Sequence, residues 1–302
     1  MTCECCRDGY RSRVSTALQP RTAITSLEHA TALDPPAKAV AGKIRGLLKP
    51  GALKDAISGT WLGHPVHPLL VELVIGSLLS ASLVDAFAPR SGAKAAERLI
   101  SIGVAAAVPT ALTGASDWAD TELSDGAVRR VGLVHAGTNA TAQLLYIASL
   151  LARRRGHGAR GRLLALAGAT VLGGGGYLGA HLSYVRGVGV NQTVFDEGSS
   201  DWTDVIAGAD LPDGQPKSVQ ADGTPVLMVR QRDGVHAIHD RCSHRGCLLS
   251  DGELDGRVIT CACHGSKFDV RDGSLLRGPA TVGQPAFETR ENNGRIEVRR
   301  PG

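Results

Sequence analysis

Cys242-Ser-His244-Arg-Gly-Cys247 and Cys261-Ala-Cys263-His264-Gly-Ser266 stand one hairpin's length apart in the last third of the chain. A C-x-H pair, sixteen intervening residues and a C-x-x-H pair offer two thiolates and two imidazoles. That donor set points to a metal centre, and two occupants compete for it. A [2Fe-2S] cluster in its mixed-ligand form takes cysteines on one iron and histidines on the other. A structural zinc ion also accepts two Cys and two His, but zinc sequences usually present C-x2-4-C and H-x3-5-H. Here each box mixes Cys with His, which favours the cluster.

The boxes resemble those of the Rieske family, whose neutral imidazoles raise the cluster's reduction potential above that of an all-cysteine ferredoxin. The resemblance implies Cys242 and Cys261 on one iron and His244 and His264 on the other. Cys247 and Cys263 occupy the positions where the quinol-oxidising subclass of the family places a disulfide, which implies that bond here; the alternative is two small apolar fillers. Ser266 stands where the family's serine bonds a bridging sulfur, and Gly278-Pro279-Ala280 resembles the proline loop that closes over the cluster. Three positions depart from that subclass: Phe268 replaces a tyrosine donor, Ala262 a proline and Arg245 a leucine. Without the tyrosine hydrogen bond the potential is expected to fall below that of the highest members.

Around the boxes the chain reads as short apolar runs between turns, such as Thr224-PVLMVR-Gln231, Gly234-VHAI-His239 and Gly256-RVIT-Cys261. An all-β domain over 201–302 fits this pattern. The preceding residues differ in kind. Four apolar runs, Pro68 to Ala88, Leu99 to Ser116, Val131 to Ala152 and Leu163 to Val185, approach or exceed the about 20 residues that span a bilayer, with arginines clustered at their ends. The competing reading is a soluble domain of unusually apolar helices. Trp61-LGHPVHPLLVELVIG-Ser77, with Val134 to Asn139 and Tyr177 to Val185, resembles an uncharacterised family of four-helix membrane domains marked by an HPxHP box. The expected fold is therefore α + β and multidomain: a four-helix transmembrane bundle followed by an all-β Rieske domain. The expected boundaries are a basic, disordered tail over 1–57, the membrane domain over 58–190, a linker over 191–200 and the head over 201–302.

Tracing the four runs places His64, His67, His135 and His181 near the bilayer side on which the first run begins, and the head on that side too. Ionisable groups within spans are functional candidates. Three readings compete for this layer: a b-type haem with His135 and His181 as axial ligands, a quinone-headgroup site using the histidines with Glu72, or histidines that only bond carbonyls and headgroups. Gly173 to Gly176 permits close helix approach or room for a flat cofactor.

Cys3, Cys5 and Cys6 form a C-x-C-C cluster that makes a weak metal or redox site, and no secretory signal precedes the apolar runs. A net charge of +4 and the Arg153-Arg154-Arg155 triplet do not indicate nucleic acid, because the triplet follows a span, where arginines anchor orientation. Eight basic residues flank the spans on the far side and five on the head side, which puts the head outside the cytoplasm of a multi-pass cell-membrane protein; the nine basic residues of the tail argue the other way. Only 38 residues follow His264, too few for the catalytic iron domain of a self-contained Rieske oxygenase. The expected function is electron transfer to a redox partner protein, with quinone or haem in the membrane half. The alternative is a tethered ferredoxin-like component serving a separate oxygenase or reductase.

Overall fold

The computed structural model describes residues 20–123 and 125–302; Cys3, Cys5 and Cys6 lie outside them. Four long helices form a bundle: α4 (Val66–Phe87), α5 (Ala93–Thr121), α6 (Gly126–Arg154) and α7 (Gly158–Ala180), the last continued by a π-helical turn over His181–Val185. Short connections make sequence neighbours antiparallel. Helix α4 follows Pro65 and stops just before Pro89, while α6 is capped by Asp125, whose carboxylate accepts from Ala127 N and Val128 N. Arg153 and Arg154 in the last turn of α6 suit the negative end of its dipole.

The bundle centre is small and apolar, with Leu78, Ala81, Ile100, Ala142, Tyr146 and Ala165 fully buried. Large apolar side chains such as Leu69, Leu73, Leu83, Val108, Leu112 and Leu163 point outward instead. That inversion suits lipid as the surrounding solvent. Among the described residues three helices, Val66–Phe87, Ala93–Thr121 and Gly158–Val185, are long and apolar enough to cross a membrane. The third expected run lies in α6, which forms the fourth rod but does not reach that standard. Arg129, Arg130, Asn139 and Gln143 dilute its apolar character, and the first two serve ion pairs at the head end.

Residues expected to belong to a tail form three further helices, α1 (Pro20–Glu28), α2 (Asp34–Leu47) and α3 (Ala52–Ser58), laid against α5 and α6. Charges distant in sequence hold them there. Asp34 receives both Arg130 Nε and Nη2 at 2.8 Å, and the fully buried Glu122 receives Arg45 at 2.6 Å and Arg129 at 2.7 Å. Local composition cannot reveal such partners, so the segment reads as polar tail until the bundle is present.

The head holds two antiparallel sheets. Six strands run in the order β1 (Thr203–Ala207), β10 (Arg295–Arg299), β9 (Ala286–Asn292), β4 (Gly234–His239), β3 (Thr224–Gln231) and β2 (Lys217–Ala221). Four shorter strands follow sequence order: β5 (Glu253–Asp255), β6 (Val258–Thr260), β7 (Lys267–Asp269) and β8 (Leu275–Arg277). Tight turns at Asp222-Gly223 and Asn293-Gly294 put both central residues at positive φ, as two-residue hairpins require. Strand β3 is buried on both faces: Val226 and Met228 join one core, Leu227 and Val229 the other. The second core, with Ile238, Leu249, Ile259, Phe268 and Val270, lies directly under the loops that carry the two boxes.

Candidate metal centre

The box with Cys242 forms the loop after β4, the box with Cys261 joins β6 to β7, and the Pro279 loop follows β8. Each box folds around its first cysteine. Cys242 N donates to Cys247 O at 2.8 Å and Gly246 N to Cys242 O at 2.8 Å; Cys261 N donates to Ser266 O at 2.8 Å and Gly265 N to Cys261 O at 3.0 Å. Gly246 (φ 75°) and Gly265 (φ 77°) adopt the left-handed conformation that lets these loops turn back on themselves.

Cys247 and Cys263 are joined by a disulfide across the two loops, with Cα atoms 6.5 Å apart. Cys242 and Cys261 are free and buried beside each other. The hydrogen bond from the Cys242 thiol, with the backbone N–H groups of Cys263 and His264, draws Cys261 down to about 6, while Cys242 is pushed well up by the same bond and by burial. Inward-facing N–H groups of this kind stabilise anionic sulfur.

The imidazoles of His244 and His264 meet edge to face with centroids 5.0 Å apart. His264 Nε2 lies 2.8 Å from the carbonyl of Asp120. A carbonyl only accepts, so Nε2 carries the proton and Nδ1 is left as a bare lone pair. His244 Nδ1 is buried without a hydrogen-bond partner, and its Nε2 lies 3.8 Å from the Asp120 carboxylate. Burial pushes both imidazoles below their ordinary pKa, His244 further. Neutral rings with free Nδ1 atoms, on the same two loops as two buried thiols, fit a mixed Cys/His metal centre.

Three further residues singled out in the sequence lie around the two loops. Ser266 is fully buried and accepts from Ala280 N at 3.0 Å, leaving its own proton to donate. Phe268 is fully buried in the core beneath the site, and Pro279 follows a cis peptide in the loop beside it.

The membrane histidines divide differently from the expected layer. His181 Nε2 lies 2.9 Å from Glu28 of α1, so its ring is taken up by a helix absent from the simple four-run picture. His64 and Glu72 are exposed. His67 and His135 lie within electrostatic reach of each other across the bundle. Each bonds a backbone carbonyl through Nδ1, His67 to Thr110 at 3.0 Å and His135 to Gly175 at 2.9 Å. Of the glycine run, Gly175 alone packs closely, against Asn139, where a Cβ would stand 2.5 Å from Oδ1; Gly173 and Gly176 face open space.

Sequence reading missed the residues that reach the site from the other half of the chain. Asp120 and Asp117 of α5, Lys54 and Asp55 of α3, and Thr60 all lie at the cluster loops. The unusual Arg245 is the one local signal, since its guanidinium lies in the field of Asp117 and Asp120.

An all-β head with two Cys/His loops, a cross-loop disulfide and a proline loop defines a Rieske-type iron-sulfur protein. Residues 201–288 match the Rieske [2Fe-2S] domain, and residues 63–192 match a family described as predicted membrane protein DUF2231. Ferredoxin CarAc of Metapseudomonas resinovorans is 36% identical over 98 residues, covering 32% of this chain and 92% of the ferredoxin. Sulredoxin of Sulfurisphaera tokodaii is 30% identical over 107 residues, 32% of this chain and 96% of its own length. The cytochrome b6-f complex iron-sulfur subunit of Chlorobaculum tepidum is 30% identical over 90 residues, 30% of this chain and 49% of the subunit. Through its C-terminal head the chain belongs to the Rieske [2Fe-2S] family.

Proposed function

We propose that the chain is a membrane-anchored electron carrier whose [2Fe-2S] cluster is held by Cys242 and Cys261 on one iron and by Nδ1 of His244 and His264 on the other. The observation that carries this reading is the pair of free Nδ1 atoms: one is buried without a partner, the other is freed by the bond its ring makes through Nε2, and each belongs to a box that also carries a buried free thiol. When bound, such a cluster takes up and releases one electron at a time. Ser266 Oγ–H is the donor toward a cluster sulfur, the disulfide ties the two loops over it, and Ala280 and Phe268 keep water from its base. The apolar outer faces of α4, α5 and α7 serve as the anchor.

Electron exchange with a group inside the bundle is the finer form of this reading. His67 and His135 support it, because a ligating histidine typically donates its other ring N–H to a carbonyl, as both do here. Similarity to the ferredoxin component of the naphthalene 1,2-dioxygenase/salicylate 5-hydroxylase systems of Ralstonia sp, 28% identical over 101 residues, favours a second form, in which the head serves a separate oxygenase or reductase and the helices only anchor it.

The test is purification of the full chain in detergent with EPR and visible spectra in both redox states. A reduced signal with nitrogen-ligand character is expected; zinc at full occupancy, or a cluster without nitrogen ligands, sinks the assignment. A Soret band lost in His67→Ala and His135→Ala would place haem in the bundle, and its absence after haem-replete expression leaves the quinone and anchor forms.

A further inference from the structure

The histidine edge of the proposed site is only partly open to solvent. It faces the C-terminal end of α5. At 29 residues α5 is about 43 Å long, beyond the about 30 Å of a hydrocarbon core, so its last turns extend toward the head. There Asp120 presents its carbonyl to His264 at 2.8 Å and its carboxylate to His244 at 3.8 Å. Lys54 Nζ reaches the same carboxylate at 2.8 Å and is fixed by Ser116 through Oγ at 2.6 Å and the carbonyl at 3.2 Å. Lys54 and Asp120 are 3% and 5% exposed. Arg245, from the cluster box itself, lies opposite Asp117 and Asp120.

The contact continues along the neighbouring loops. Thr60 Oγ1 donates to Ala280 O at 3.1 Å, and a Cβ on Gly278 would stand 2.0 Å from Thr60 Oγ1. Gly265 abuts Pro50, where an added Cβ would come within 3.3 Å of the ring. All three loops that surround the proposed cluster therefore seat on the helical half.

We propose that Asp120 and Lys54 form a socket on the helical half that receives the cluster's histidine edge and adjusts its reduction potential, so that a seated head and a released head differ in potential. The inference rests on the ligand assignment above. A hydrogen bond accepted from a ligating imidazole makes that ligand more basic and favours the oxidised metal. Lys54 acts in the opposite sense, because a buried cation favours the form of the cluster that carries one more electron. Both charges are buried, which is costly for a pair whose only task is holding helices together. Their placement against the histidine edge gives them a second task.

The opposed signs make the test specific. In Asp120→Asn the backbone bond to His264 survives while the carboxylate charge is lost, leaving Lys54 and Arg245 with only Asp117 to face them. Redox titration of the full chain in detergent, followed by EPR, is expected to show an upward shift of the midpoint in Asp120→Asn and a downward shift in Lys54→Met. Gly278→Trp, which has no room beside Thr60 and Asp55, should hold the seat open and abolish the effect of Asp120→Asn. If Asp120→Asn does not accumulate, Lys54→Arg must keep the wild-type midpoint while Lys54→Met lowers it. Unchanged midpoints in both charge variants, or shifts in the same direction, overturn the proposal while leaving the cluster assignment standing. A wild-type protein without a mixed-ligand cluster overturns the assignment first, and the socket with it.

Discussion

The Cys247 to Cys263 disulfide gives the most direct quantitative prediction. It closes a loop with a sequence separation of 16. Constraining an unfolded chain by a loop near that length stabilises the folded state by about 3 kcal/mol on the chain-entropy account. For a head of roughly 100 residues, where each kcal/mol shifts the midpoint by about 4 to 8 °C, removal should lower thermal unfolding by about 12 to 24 °C. The proposed cluster does not offset this, because it is lost on unfolding and constrains only the folded state. The variant to use is Cys247→Ser/Cys263→Ser. In the single variant Cys247→Ser, the freed Cys263 Sγ lies within 4.8 Å of Cys261 Sγ and can capture a proposed ligand in a wrong disulfide. The single variant should therefore hold less cluster than the double one under oxidising conditions, and the two should converge under reductant. Loss of visible absorption on heating follows the transition. A double variant that melts within about 4 °C of wild type, less than about 1 kcal/mol, would refute the reasoning.

Phe268→Tyr adds a hydroxyl beneath the site; if it reaches a cluster sulfur, a bond worth about 1.4 kcal/mol more in the reduced state raises the one-electron midpoint by about 60 mV, and an unchanged midpoint refutes the donor geometry. His239 is fully buried and its pKa is lowered by burial, with Asp196 opposing, so the unfolded chain takes up a proton near pH 6.5 that the folded one refuses. Stability should thus fall as pH drops below 6.5, by at most about 1.4 kcal/mol at pH 5.5 from this group, and urea midpoints of His239→Gln should fall less between pH 7.5 and 5.5 than those of wild type. Asp85→Ala leaves Arg153 buried without its carboxylate partner in the bundle and should cost about 3 to 5 kcal/mol. Thermal inactivation in detergent measures that loss, and wild-type behaviour would show that water reaches the arginine.

The head was legible in the sequence because its signals are local. The two boxes and the strands at Thr224–Gln231 and Gly234–His239 each lie within a few residues of their defining pattern, while the Cys247 to Cys263 pairing followed from the family resemblance of the boxes. Bundle helices α4, α5 and α7 were legible from length and apolarity alone. What could not be read was set by pairs far apart in the chain. His181 meets Glu28 across 153 positions, and His264 meets Asp120 across 144. The helical nature of residues 20 to 58 depends on ion pairs of the same distant kind. Arg245 showed only as a departure from a family pattern, and its acidic partners on α5 supply the physical reason for it.

The short connection between the halves sets how far they can part. Gln192 N donates to Ser243 O in the cluster box at 3.1 Å, and the last helical turn of the bundle ends at Val185. Even fully extended, the chain between those two residues spans no more than about 25 Å. A tether of that length holds one partner before the other at an effective concentration in the millimolar range. Encounter between the cluster box and α5 is therefore insensitive to dilution, unlike that of a freely diffusing ferredoxin with its acceptor. Intrinsic affinity can then be weak, and seating and release can be fast, without the two ever losing each other.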